Sequence, residues 1–267
     1  MKLFIQFSLI FIIFINTTKS QCHLQNTTFE AGEKLKYTVY YNLQFIWLEI
    51  ADIELSTSEI VNSNKISIKL YSTWKTRPKY NWIMNVDDKY DAIIDNDSII
   101  PYTYNQKIKE GKLISNLRYE YSENRDLLYA WIENSKYSKN PKTIEITQCV
   151  FDLLTSIYYA RNINYSDYKP NHKIPYSALL GDKIKNLEIK YMGIETIKTH
   201  NDKSFDCIKI KPSIAETEMF KGGNDKLTAW FSNDKNQMPI MAVAELFIGS
   251  VKVILNTYEG LRYPINH

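Results

Sequence analysis

Alternation of apolar and polar residues with a period of two runs through most of this chain, and it limits what the chain can become. From position 35, Leu35, Tyr37, Val39, Tyr41 and Leu43 alternate with Lys36, Thr38, Tyr40 and Asn42. Ala51, Ile53 and Leu55 alternate with Asp52 and Glu54, and Ile66, Ile68, Leu70 and Trp74 share a face opposite Ser67, Lys69, Thr73 and Lys75. Period two sends successive side chains to opposite faces of a strand, so each segment has one dry face and one wet face. That pattern favours antiparallel pairing over a parallel sheet buried on both sides. Further strands are expected at 113–122, 127–133, 184–191, 205–211, 226–232, 239–247 and 250–258. Turn chemistry punctuates them at Glu110-Gly111, Asn124-Arg125-Asp126, Gly222-Gly223-Asn224 and Asn233-Asp234-Lys235-Asn236. Ten or more such strands curl or close, because a long open sheet leaves edges to protect.

One segment departs from the pattern. Val150, Leu153, Leu154, Ile157, Tyr158 and the aliphatic stem of Arg161 recur at spacings of three and four, with Thr147 placed as an N-cap. The spacing predicts a single central helix near 149–162. The expected fold is therefore mainly β: a large curved antiparallel sheet or barrel of about ten or more strands with that one helix. No linker composition or internal repeat divides the chain, so residues 21–267 read as one β-rich domain.

The first twenty residues read as a cleaved secretory signal peptide. Met1-Lys2 precede an apolar run from Leu3 to Ile15, and Thr18 and Ser20 are small residues before the cut. The run is short for a spanning helix, which needs about 20 apolar residues, and the later stretch from Met238 to Leu255 is broken by Pro239, Glu245, Gly249 and Lys252. Gln21 before Cys22, and Lys19 three before it, disfavour lipid anchoring at Cys22. Of the formal charge of +3, Lys2 and Lys19 lie in the removed segment, which leaves 3 − 2 = +1. A nearly neutral chain gives no electrostatic case for nucleic acid or an anionic membrane as a partner. The expected location is the periplasm or cell envelope.

Export frames the three cysteines. Cys22, Cys149 and Cys207 allow one disulfide and one free thiol, with the pairing open. No two cysteines are close in sequence, and His23, His172, His200 and His267 show no ligand spacing, so neither a metal nor another cofactor is expected. Asp87-Asp88 and Asp95 with Asp97 could hold Ca²⁺, but they do not form a full EF-hand loop.

Nor does a catalytic set emerge. There is no Gly-x-Ser-x-Gly elbow, and Ser156 falls within the expected helix. His172 and His200 sit in polar loop sequence, and Cys149 is more readily a disulfide partner than a nucleophile. Asp152 could cap the helix or pair with Arg161, with a catalytic carboxylate as the sharper alternative.

Several short motifs remain. The chain reads Phe29-Glu30-Ala31-Gly32-Glu33-Lys34-Leu35-Lys36-Tyr37 near its start and Asp152-Leu153-Leu154-Thr155-Ser156-Ile157-Tyr158-Tyr159-Ala160-Arg161 in the helix. Trp230-Phe231-Ser232-Asn233-Asp234, Met238-Pro239-Ile240 and Gly249-Ser250-Val251 follow. In that order and spacing, over about 29–264, the chain resembles the domain-of-unknown-function 3108 family of exported bacterial proteins. Thr155 stands where Ser would be expected and keeps the hydroxyl. The resemblance implies a mainly antiparallel β protein of the Gram-negative envelope and no assigned activity.

Binding is the better-motivated role. Tyr37, Tyr41, Trp47, Trp74, Trp82, Trp131 and Trp230 are candidate wall residues for an apolar ligand inside a curved sheet. The leading expectation is a non-catalytic binding or carrier module for a lipid or other apolar or amphiphilic ligand. The alternative is an envelope assembly factor that holds a protein partner through sheet edges.

Overall fold

The computed structural model describes residues 24–265, apart from 44–45, 63–64, 83–84, 134–140, 148, 200–202, 214–225 and 247. Fourteen strands form one antiparallel sheet. The first half comprises β1 (Lys34–Leu43), β2 (Ile46–Asn62), β3 (Lys65–Thr76), β4 (Asp87–Asp95), β5 (Pro101–Glu110), β6 (Leu113–Tyr121), β7 (Leu127–Glu133) and β8 (Lys142–Glu145). The helix α1 (Leu153–Arg161) follows, and then β9 (Lys173–Leu180), β10 (Lys183–Lys198), β11 (Ser204–Pro212), β12 (Leu227–Ser232), β13 (Pro239–Glu245) and β14 (Ser250–Glu259).

The order across the sheet is β8-β7-β6-β5-β4-β3-β2-β1-β14-β13-β12-β11-β10-β9. Each half is thus a simple up-and-down meander, and the first and last strands pair at the centre, from Lys34 opposite Glu259 to Asn42 opposite Ser250. The alternation read from the sequence sets the register. Leu35, Tyr37, Leu55, Leu70, Tyr90, Ala92, Ile94, Tyr104, Tyr119, Leu128 and Ala130 all turn into one core.

Strand pairing does not close the sheet; the segment between its halves does. Val150 and Phe151 run into α1, and Phe151 bridges Ala178 of β9 with its N–H donating to the Ser177 carbonyl at 2.9 Å. From there α1 crosses the concave face and packs against β3, β4 and β9. Across the gap the Tyr119 hydroxyl donates to the Gly181 carbonyl at 2.5 Å, and Lys142 of β8 pairs with Asp182 at 2.8 Å. A second core lies where α1 ends, built from Ala160, Ile163 and Tyr165 against Ile174, Ile189, Tyr191, Ile208, Ile210 and Phe231. Strand β11 therefore buries Cys207 on one face and Ile208 on the other.

The helix begins later than the apolar spacing predicts. Its N-cap is Asp152, not Thr147. The physical reason is the Phe151 bridge, because an extended residue paired to β9 cannot also belong to a helical turn. Strands β4, β5, β8 and β9 are additions to those expected, and β10 is longer than 184–191, running past a bulge at Gly193.

Candidate functional site

The motifs near positions 33, 161 and 236 converge inside the sheet. Gly32 turns the chain with φ of 101°, a conformation cheap only for glycine, and delivers Glu33 to the start of β1. Arg161 ends α1 and points at that carboxylate, its two terminal nitrogens donating to Glu33 Oε1 at 2.6 Å and Oε2 at 2.8 Å. It also donates to the Asn236 carbonyl at 3.0 Å. Both side chains are fully enclosed. Burial alone would lower the guanidinium pKa, but the Glu33 carboxylate outweighs it and holds the charge in place. The rings of Phe29 and Tyr158 flank the guanidinium at 5.3 and 5.2 Å.

Asp152 does not pair with Arg161. It caps α1, accepting from the Thr155 N–H at 2.8 Å and the Thr155 hydroxyl at 2.6 Å. Complete burial pushes its carboxyl up to about 6, against the pull of those donors. Ser156 Oγ donates to the Asp152 carbonyl at 2.7 Å, whereas His172 is exposed and stacked on Tyr168. These three side chains lie in different environments and make no relay. The enclosed ion pair has no opening for a substrate; it locks helix to sheet.

Acidic pairs are similarly occupied. Asp88 accepts from the Lys109 N–H at 2.8 Å and the Tyr90 hydroxyl at 3.2 Å. Burial raises the carboxyls of both Asp88 and Glu110, which share a hydrogen bond. Asp95 accepts from Tyr102, from the Asp97 N–H and from Ser98. Among the described residues no three His, Cys, Asp or Glu side chains gather as a metal site.

The seven candidate wall aromatics are dispersed. Tyr37 and Trp230 are buried, and Trp74 is half-buried against the same core with its ring 5.4 Å from Tyr90. Trp230 Nε1 donates to Glu195 at 3.2 Å. Trp131 lies opposite in alternation to the buried Leu128 and Ala130, on the outer face, with Arg118 5.4 Å from its ring. Tyr41 donates through its hydroxyl to the Ile248 carbonyl at 3.0 Å. Trp47 and Trp82 are 41% and 82% exposed. Cys207 is a free, buried thiol; Cys22, His23, His200 and His267 lie outside the described residues.

Those two tryptophans lead to a feature that composition does not announce. Four connections lie side by side at the end of the sheet away from the Glu33–Arg161 pair. Tyr41 ties the β13–β14 turn to β1, and Lys252 of β14 lies 4.3 Å above the Trp47 ring on β2. The Arg77 N–H donates to the Ile50 carbonyl at 2.8 Å, which lays the β3–β4 loop along β2. The Gly111 N–H donates to the Asn85 carbonyl at 2.7 Å, which joins that loop to the β5–β6 turn. Along this rim the large apolar residues Ile248, Ile46, Trp47, Trp82, Leu113 and Ile114 are all exposed, between 41% and 82%. From β13 to β6 the rim crosses eight strands, roughly 34 Å at the usual strand spacing. Turn tips are normally polar, and exposed apolar residues at four neighbouring connections make this rim a candidate contact surface.

Two recesses of about 270 and 360 Å³ meet below it at Arg77. Neither is an anion site, because Arg77 is already paired with Glu49 at 2.5 Å and Asp52 at 2.8 Å. The signal for the rim was present in the turn sequences around Ile46-Trp47 and Ile248, where apolar residues stand in place of turn formers. Their alignment depends on the register.

Comparison with known proteins fits this architecture. No curated protein matches the chain. A solved structure that it resembles is the beta-barrel-like protein of domain of unknown function DUF1849 from Brucella abortus, at 8% identity and a TM-score of 0.54. The likeness covers 86% of this chain and 97% of that one, and it shows a shared fold. The family model for proteins of unknown function DUF3108 matches residues 36–256, most of the chain, so this protein belongs to the DUF3108 family.

Proposed function

We propose that this protein is an exported, non-catalytic binding module of the cell envelope that engages apolar or amphiphilic molecules at its exposed rim. The observation that carries this reading is the set of exposed apolar residues at four neighbouring connections, Ile248, Ile46, Trp47, Trp82, Leu113 and Ile114. The concave face favours binding at the rim over carriage inside, since α1 and the buried aromatic side chains occupy it. Binding a partner through sheet edges is less favoured. β8 is four residues long with mostly exposed side chains, and Phe151 covers part of β9.

The test is quenching of tryptophan fluorescence by a zwitterionic detergent carrying a bromine-labelled chain. The wild type is expected to be quenched, and Trp82→Ser with Trp47→Ser to lose most of the effect. Equal quenching in that variant, or none in the wild type, would overturn the reading.

Export also gives the cysteines a role. Cys207 is free and buried, so in this reading the one disulfide joins Cys22 to Cys149 and pins the mature N-terminus beside the start of α1. An intact mass equal to residues 21–267 less two protons supports both the cleavage and the bond. Two additional protons, or retention of residues 1–20, would count against one or the other.

A further inference from the structure

Apolar residues at separate turn tips cannot wrap a single acyl chain, but they can enter a flat apolar phase together. Tryptophan is suited to the boundary between headgroups and hydrocarbon, where an apolar ring carries a polar N–H. The charges around the tips add a second, independent feature. Lys79 in the β3–β4 loop, Lys112 in the β5–β6 turn and Lys252 beside Trp47 have no ion-pair partner among the described residues, and Lys79 and Lys112 are exposed. Of the acids at this end, Glu49 and Asp52 pair with Arg77 and Glu245 with Lys226, while Asp88 accepts from the Lys109 N–H and Tyr90 and hydrogen-bonds Glu110, and Asp87 opens β4. The rim thus combines apolar tips with three lysines that have no ion-pair partner among the described residues.

We infer that the rim docks on a bilayer surface that carries anionic phospholipid headgroups, with Ile46, Trp47, Trp82, Leu113, Ile114 and Ile248 entering the interface and Lys79, Lys112 and Lys252 facing phosphate. The inference rests on the rim-binding reading and names its ligand. Apolar burial and cation attraction act together in this kind of peripheral binding, and the attraction weakens with salt. Binding through a few turn tips is reversible, and no helix among the described residues is long and apolar enough to cross a membrane.

The test is flotation of the full mature protein with vesicles of phosphatidylglycerol and phosphatidylethanolamine, compared with vesicles of phosphatidylcholine alone. The wild type is expected to float with the anionic vesicles at low salt, to bind the neutral ones at least five-fold more weakly, and to be released by 0.5 M salt. Both Ile46→Ser with Trp82→Ser and Ile248→Ser, and Lys79→Glu with Lys112→Glu and Lys252→Glu, should lower anionic-vesicle binding ten-fold or more. All six positions are at the surface or rim, and unchanged urea midpoints would show that the variants still fold. Equal binding by wild type and both variants would overturn the docking. Absence of vesicle binding alongside rim-dependent detergent quenching would overturn the bilayer assignment alone and leave rim binding standing. Absence of both would overturn the two together, and salt-insensitive binding to both vesicle types would remove the role of the lysines.

Discussion

Glu33 and Arg161, 128 residues apart in the chain, face each other as a doubly hydrogen-bonded ion pair with no solvent exposure on either side chain. One carboxylate at the start of the first strand and one guanidinium at the end of the helix therefore fix where the helix lies in the sheet.

Breaking that pair from one side leaves an uncompensated buried charge. Arg161→Met and Glu33→Gln are each expected to cost about 3–5 kcal/mol of stability. The double variant should cost clearly less than the sum, because the orphaned charge is then absent. Urea unfolding of the four proteins reads this coupling, and strict additivity would refute it.

Asp152 predicts a pH slope. Its carboxyl is pushed up to about 6 in the folded protein by burial, whereas an unfolded Asp titrates near 4. Folding then takes up a proton between those values, so stability falls as pH rises from about 4 to about 6, by at most roughly 3 kcal/mol. Asp152→Asn keeps a good N-cap residue and removes the titration. The stability of wild type minus variant should fall across that window and be flat above it; a difference that does not vary with pH would contradict the assignment.

Gly260 approaches the backbone of Gly32 so closely that a Cβ would overlap the Gly32 carbonyl, and its own φ is 66°. Gly260→Ala is therefore expected to destabilise by about 1–3 kcal/mol through steric overlap and backbone strain. Gly181, also at positive φ but with open space around its would-be Cβ, should lose only about 1 kcal/mol on the same change. Thermal unfolding of the two variants separates the contributions, and an equal loss would deny the close approach.

Cys207 is expected to be inert. Burial raises its thiol pKa to about 12, and the nearby Asp206, Asp234 and Glu195 add to the shift. A thiol so placed holds almost no thiolate at neutral pH. Under non-reducing conditions, a maleimide reagent should label it only after denaturation. Rapid labelling of the native protein would show that β11 opens.

Much of the fold is legible in the alternation, and the exceptions have physical causes. β4 does alternate, with Asp88, Tyr90, Ala92 and Ile94 buried, but an acid and an alanine occupy two of its four inward positions. β5 buries only Pro101 and Tyr104, and β8 only half-buries Ile144, so neither has an alternating dry face to read. The Glu33–Arg161 pair has no local signature. The sequence leaves Asp152 either to cap the helix or to pair with Arg161, and nine residues of helix separate the two by about 13 Å along the axis. An N-cap side chain turns back to the first N–H groups instead. At the rim, Trp47 and Trp82 stand out in the sequence as candidate walls of an interior site, whereas Ile46, Leu113, Ile114 and Ile248 gain meaning only when the register lines up their turns.

The pairing of the first strand with the last has a consequence for how the molecule is assembled and how it fails. In an ordinary meander, losing the final strand trims an edge. Here β14 lies between β1 and β13, so a chain cut short before Ser250 would split the sheet into two flaps, held together by the α1 segment and by the contacts of β6 and β8 with the β9–β10 turn. The seam that unites them can form only once β14 has been synthesised, so the first strand waits for it before the two halves become one sheet.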